Sequence, residues 1–174
     1  VCLFEDGQAY RRFVARVFGP GRYEKDLGLY APYHRLLAAD LSRNPASLKH
    51  ELIHPLLADA GGFPLWLEEG LAELYADSRL RKGKLRFGMG HRLGILRRML
   101  RDGSLPTAEQ LARADDRQLY GTQGLRYYTL ARFLLLYLQQ QDPERLNRFV
   151  ADLRSGREPT GLIAKYLKGK GLVA

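Results

Sequence analysis

Two histidines four residues apart, His50 and His54, with Glu51 directly after the first, constrain this chain more than any other feature of it. On a helix that spacing leaves two side chains about 40° apart around the axis and one turn along it, so both imidazoles can converge on one ion. The pair is half of a zinc site. A catalytic zinc takes three protein ligands and keeps a fourth position for water, and an acid between the histidines is then placed to take that water's proton. Glu51 has that position. With four His and nine Glu in the chain, the pattern arises by chance in roughly one chain in two hundred, so its surroundings have to decide.

Those surroundings contain Pro64-Leu65-Trp66-Leu67-Glu68-Glu69-Gly70-Leu71-Ala72-Glu73-Leu74-Tyr75. Here the sequence resembles the gluzincin metallopeptidases, whose second motif reads Trp-Leu-x-Glu-Gly-x-Ala, and more narrowly the bacterial peptidase-MA-like domains, in which the two motifs lie on consecutive helices. The resemblance covers residues 47–77 and is thin elsewhere. It implies that Glu69, directly before Gly70, is the third ligand of one zinc ion per chain. It also implies a zincin-like fold in which a sheet precedes the zinc helix and lends an edge strand to an extended peptide.

The residues support this independently. Ala60 stands where a third histidine would complete the alternative His-x-x-Gly-x-x-His arrangement, which is thereby excluded. Adjacent helical residues point about 100° apart, so Glu68 and Glu69 cannot both face an ion. If Leu67, Leu71, Leu74 and Tyr75 form the buried stripe, then Trp66, Glu69, Gly70 and Glu73 share another face, and Gly70 lets the two motif helices approach closely. Glu73, one turn after Glu69, is placed to accept the free N–H of a ligand histidine and fix its tautomer.

A chain of 174 residues, 45% hydrophobic, is one domain by size and long enough to bury a core. Its richest apolar run, residues 130–138, contains Arg132 and is too short to span a bilayer. The single cysteine, Cys2, excludes an internal disulfide and a multi-cysteine metal cluster. The chain opens at Val1 without an initiator Met, a basic leader or a cleavage site, and is expected to be part of something longer. The net charge of +9 comes from 21 Arg and 7 Lys. Most are scattered, which argues against a nucleic-acid partner; only Arg79-Leu80-Arg81-Lys82-Gly83-Lys84 is a run, read as a solvated loop with a polyanion contact as the sharper alternative.

In chain order, Val1 to Phe4 reads as a short buried strand, and Tyr10, Phe13, Val14, Val17 and Phe18 mark a helix stopped at Gly19-Pro20-Gly21. Residues 27–31 and 35–41 read as a hairpin around Pro32-Tyr33-His34. The resemblance makes 35–41 the candidate substrate-binding edge, with an interior strand as the competing reading. Asn44 and Pro45 start the histidine helix as N-cap and N1, and Pro55 is expected to kink or end it. Residues 79–90 form a basic loop or small hairpin. Leu93, Leu96, Met99 and Leu100 mark a helix, and Thr107 and Gln110 form a capping box.

Residues 113–123 are polar and expected to loop over the site. The most apolar helix, residues 125–141, begins with Tyr127 and Tyr128. By the resemblance, a tyrosine there donates to the oxyanion of the reaction. Register against the family's helix, counted back from Leu138, favours Tyr128, while Tyr127 and Tyr120 stay open. Asp142-Pro143 starts another helix closed by Gly156, Thr160 caps a last one, and a tail begins at Lys168.

The expected architecture is α+β in a single zincin-like domain over 1–168: sheet and first helix in 1–43, zinc-binding helices in 44–80, helical subdomain in 81–168, with 169–174 a tail. The expected activity is zinc-dependent hydrolysis of peptide bonds in a peptide or protein substrate, with Glu51 as general base. No segment upstream of His50 resembles the one that captures a substrate's free amino end in aminopeptidases, so an endopeptidase is favoured. The rival readings are a catalytically inactive zinc-binding interaction module and a basic nucleic-acid-associated protein.

Overall fold

The computed structural model describes residues 1–43 and 46–167. The expected Asn44 cap, Pro45 and the tail from Lys168 onward lie outside the described residues. The chain opens with strand β1 (Cys2–Phe4) and helix α1 (Gly7–Phe18), whose start is set by the Asp6 carboxylate accepting the Gln8 and Ala9 N–H groups at 2.9 and 3.1 Å. Strand β2 (Gly28–Ala31), a 3-10 turn at Pro32–His34 and strand β3 (Leu36–Asp40) follow. The sheet order is β1-β3-β2, with β1 parallel and β2 antiparallel to β3.

This order decides between the two readings of 35–41 and corrects one expectation. β3 is the interior strand and β2 is an edge, because Leu37, Ala38, Ala39 and Asp40 form an uninterrupted buried run, the pattern of a strand covered on both faces. β1 is not buried: Leu3 is half exposed at the other edge of the sheet.

Helix α2 (Ala46–Ala60) packs against β2 and β3 on one side and against α3 (Leu65–Ala76) on the other. A short hairpin, β4 (Arg79–Arg81) and β5 (Lys84–Arg86), leads to helices α4 (Leu93–Arg101), α5 (Ala108–Ala112), α6 (Asp116–Tyr120), α7 (Gly124–Gln141), α8 (Pro143–Arg154) and α9 (Pro159–Leu167). The architecture is therefore α+β, with a small N-terminal sheet and a mostly helical remainder. The main core gathers where α3 lies against α7, with Trp66, Leu67, Leu74, Leu135, Leu138 and Phe149 wholly buried. A smaller core around Tyr10, Val14, Leu29 and Ala38 joins α1 to the sheet. No helix among the described residues is long and apolar enough to cross a membrane.

Of the two outcomes open at Pro55, the early end is not the one taken: α2 continues to Ala60, with the lost bond falling at the Glu51 carbonyl. Two local expectations change. The polar stretch 113–123 is not simply a loop, since α6 is built into it by a reciprocal cap between Asp115 and Gln118. The last helix is capped by Glu158, whose carboxylate accepts the Thr160 and Gly161 N–H groups at 2.8 and 2.7 Å, and not by the Thr160 hydroxyl. The Thr107–Gln110 capping box forms as expected.

Candidate metal centre

α2 and α3 bring His50, His54 and Glu69 together: one ligand atom from each lies within 4.8 Å of the others. The two imidazoles stand one turn apart with ring centres 5.2 Å from each other. Nε2 of His50 is 3.3 Å from Oε2 of Glu69. Two ligands of a tetrahedral ion at 2.0–2.1 Å are separated by about 3.3 Å, so this pair already has the spacing such an ion requires. Two neutral nitrogens and one carboxylate oxygen make a donor set suited to zinc and to its first-row neighbours. The residues present fit a metal.

Glu69 is 4% exposed, and a buried carboxylate needs partners to stay charged. Burial pushes its pKa up, but the hydrogen bond with His50, the charge of His54 and the phenol of Tyr128 outweigh that and hold it below the usual range. The Tyr120 hydroxyl donates to Oε1 at 3.1 Å. Burial and the Glu69 charge in turn raise both phenols, so Tyr120 and Tyr128 remain neutral donors at physiological pH.

On its other side His50 meets Glu73. The Nδ1–Oε1 distance of 3.8 Å is an ion-pair contact and longer than a hydrogen bond. Glu73 is oriented by Arg92, which donates to its two oxygens at 2.5 and 2.7 Å. Burial opposes ionisation of Glu73, but Arg92 overcomes it and keeps the carboxyl low. Arg92 also lies over the Tyr128 ring at 5.7 Å and so ties the acid to the phenol. His50 therefore has Nε2 toward Glu69 and Nδ1 toward Glu73, which matches a ligand nitrogen backed by an acid. Without an ion, burial lowers the basicity of both imidazoles; the carboxylates around His50 reverse this and raise it, while His54 stays low.

Glu51 leans toward the edge strand. A Cβ on Gly28 would stand 2.7 Å from the Glu51 Cγ, so glycine in β2 makes room for that side chain. Burial raises the Glu51 pKa to about 7, helped by the charges of Glu69 and Asp26 and opposed by His50 and by the Tyr30 backbone N–H. An acid near neutrality is suited to accept and return a proton.

Of the expected residues, His50, His54 and Glu69 converge, with Glu51, Glu73 and Tyr128 beside them. Tyr127 is excluded: it is buried, and its hydroxyl accepts the Gln118 amide at 3.1 Å. Tyr120, left open from sequence, does reach the centre. Gly70 has a different role from the one expected: its missing Cβ leaves room for Ala131 and Leu135 of α7, each 2.9 Å from where that carbon would be, and not for α2. Arg92 was missed, since nothing in its neighbourhood singles it out. Tyr120 carried a signal, because Asp115 and Gln118 three residues apart predict the helical turn that aims it. Comparisons with family models, with curated proteins and with solved structures find no match to this chain.

Proposed function

We propose that this domain is a zinc-dependent metallopeptidase, most simply an endopeptidase, with a fold of the zincin type. The observation that carries the proposal is the convergence of His50, His54 and Glu69 from consecutive helices. When bound, a zinc ion would acidify a water molecule and polarise the carbonyl of the scissile bond. Glu51 takes a proton from the attacking water on its carboxylate and returns it to the departing nitrogen, a base that becomes an acid. Tyr128 or Tyr120 donates its phenolic O–H to the carbonyl oxygen as negative charge develops there. Glu73, held by Arg92 with Oε1 3.8 Å from His50 Nδ1, favours by its charge the His50 tautomer with the proton on Nδ1, which leaves Nε2 free to ligate. The supporting arrangement outside the ligands is an edge strand, β2, beside Glu51.

Metal analysis of purified wild type, Glu69→Ala and Glu51→Gln, with a casein-cleavage assay on each, tests this. Wild type is expected to hold about one zinc per chain, Glu69→Ala to lose most of it, and Glu51→Gln to keep the metal while losing turnover. Zinc retained by Glu69→Ala, or cleavage retained by Glu51→Gln, sinks the proposal.

A second reading is favoured by one contact. The Tyr120 hydroxyl from α6 donates to Glu69 Oε1, which would fit a metal-holding interaction module whose third ligand is covered by that helix. In that case Glu51→Gln and wild type behave alike in every assay.

A further inference from the structure

The β4–β5 hairpin holds Arg79, Arg81, Lys82, Lys84 and Arg86 within a few residues of one another. Its register sets Arg79 opposite Arg86, Leu80 opposite Leu85 and Arg81 opposite Lys84. Because side chains alternate along a strand, four cations share one face and two leucines the other. Like charges directly opposed across a ladder are destabilising, and an isolated two-stranded hairpin is marginal in water. None of the five cations forms an ion pair among the described residues. Such an arrangement costs stability without an internal return.

The base of the hairpin is nevertheless firmly built. Arg132, wholly buried, donates from one nitrogen to the Asp77 carboxylate at 3.0 Å and to the Gly88 carbonyl at 2.9 Å. Lys49 donates to the Ser78 carbonyl at 2.8 Å, and Phe87 packs edge-on against Tyr75. Gly90, at φ 64°, leaves no room for a side chain beside Asp77 and Arg132. A cavity of about 890 Å³ is lined by the five cations and a single acid, Asp77, which Arg132 and His91 already engage.

We propose that this face is an accessory binding surface for an acidic stretch of polypeptide, and that substrates of the domain carry such a stretch a few residues from the bond that is cut. The second half rests on the peptidase reading. The hairpin follows directly from α3, the helix that supplies Glu69 and Glu73, and the segment leaving it returns Arg92 to Glu73. Glu69 and Asp77 are about 12 Å apart along the helix axis, a span that an extended polypeptide covers in about four residues. Alternate side chains of an extended chain repeat every ~7 Å, as do the cations along each strand.

A flat bilayer does not fit the concave lining, and the exposed leucines lie on the opposite face from the charges. A nucleic-acid backbone would need a longer cationic track, whereas Arg11, Arg12, Arg145 and Arg148 lie on α1 and α8, and Arg97 and Arg101 of α4 line a different concavity from that of the hairpin.

The test compares wild type with Arg81→Gln/Lys84→Gln and with Arg16→Gln/Arg22→Gln, which removes equal charge elsewhere. Neutralising Arg81 and Lys84 relieves their repulsion, so folding is not compromised. The probes, read by fluorescence anisotropy, are a labelled polyglutamate peptide, its glutamine counterpart and a single-stranded oligonucleotide; phosphatidylserine vesicles are read by co-sedimentation. Wild type and the control pair are expected to bind the glutamate peptide equally, and the hairpin pair about tenfold more weakly. In a cleavage assay the hairpin pair should raise KM for a glutamate-bearing substrate by a similar factor, leaving kcat and the glutamine counterpart's KM unchanged. Equal binding of the glutamate peptide by hairpin pair and wild type overturns the inference, as does hairpin-dependent binding that favours the oligonucleotide or the vesicles. Hairpin-dependent binding of the glutamate peptide with no cleavage of any substrate supports the surface and removes the peptidase reading alone.

Discussion

Helix α3 has eight of its twelve residues buried, whereas α2, with fifteen residues, has none fully buried. Both supply ligands to the same centre. The difference lies in what each donor needs from its surroundings. Glu69 and Glu73 are carboxylates taken out of water, and each is stabilised by groups brought from afar: His50, Tyr120 and Tyr128 for the first, Arg92 for the second. His50 and His54 sit on a half-buried helix and are neutral in their ligating form, so they carry no buried charge that needs a partner. α3 therefore belongs to the core as well as to the site, and α2 is laid against it. Losses on the two helices should differ in degree, with the larger cost in stability on α3, since α2 adds only the partly buried Ile53 and Leu57 to the core.

The largest effect expected from that contrast is at Trp66, wholly buried in α3 against Phe149. Trp66→Ala should cost about 3–5 kcal/mol in urea unfolding. A loss below 1 kcal/mol would mean that α3 is not the centre of the core.

Arg92→Gln should come next, at about 2–3 kcal/mol, because it leaves the mostly buried Glu73 without its cation. It should also weaken zinc binding about tenfold in a chelator competition. An unchanged affinity would separate Glu73 from the ligand histidine.

Gly70→Ala sets a gain in helix propensity of about 1 kcal/mol against a methyl group forced 2.9 Å from Ala131 and Leu135. A net loss of about 1–2 kcal/mol is expected from the overpacking. A stabilised variant would show that α3 and α7 are less closely packed than described.

Leu56→Ala, on the outer face of α2 where the side chain is 68% exposed, should move stability by less than about 0.5 kcal/mol. A larger loss would mean that another surface covers α2 in solution and would blur the contrast.

Much of the site was legible in the residues because its information is local. The spacing of His50 and His54 is a statement about one helix turn, and the Glu69-Gly70 pair could be placed by angle on the next helix. The capping residues Thr107 and Asp142 were readable for the same reason, since a cap involves only its own first turn. Two local readings still went astray, since Glu158 displaces Thr160 as a cap and the Asp115–Gln118 box lies in what reads as a loop; elsewhere the deciding partner was distant in sequence. Gly70 was matched to the wrong helix because α7 lies some sixty residues further on. Whether 35–41 is an edge or an interior strand stayed open because strand order depends on where β1 docks, which no feature of 35–41 records. Arg92 carries no local mark at all; it matters only because the segment after the hairpin comes back to Glu73.

From the sequence alone came the helical spacing of the donors, the capping of helices and the α+β class, because each follows from periodicity or from contacts within a few residues. Only the tertiary structure decided which tyrosines face Glu69, which cation secures Glu73 and that the basic run stands as a two-stranded ribbon on a buried arginine. Those outcomes depend on burial, which raises the cost of an unpartnered charge and so selects its partner from whatever the fold brings near, however remote along the chain.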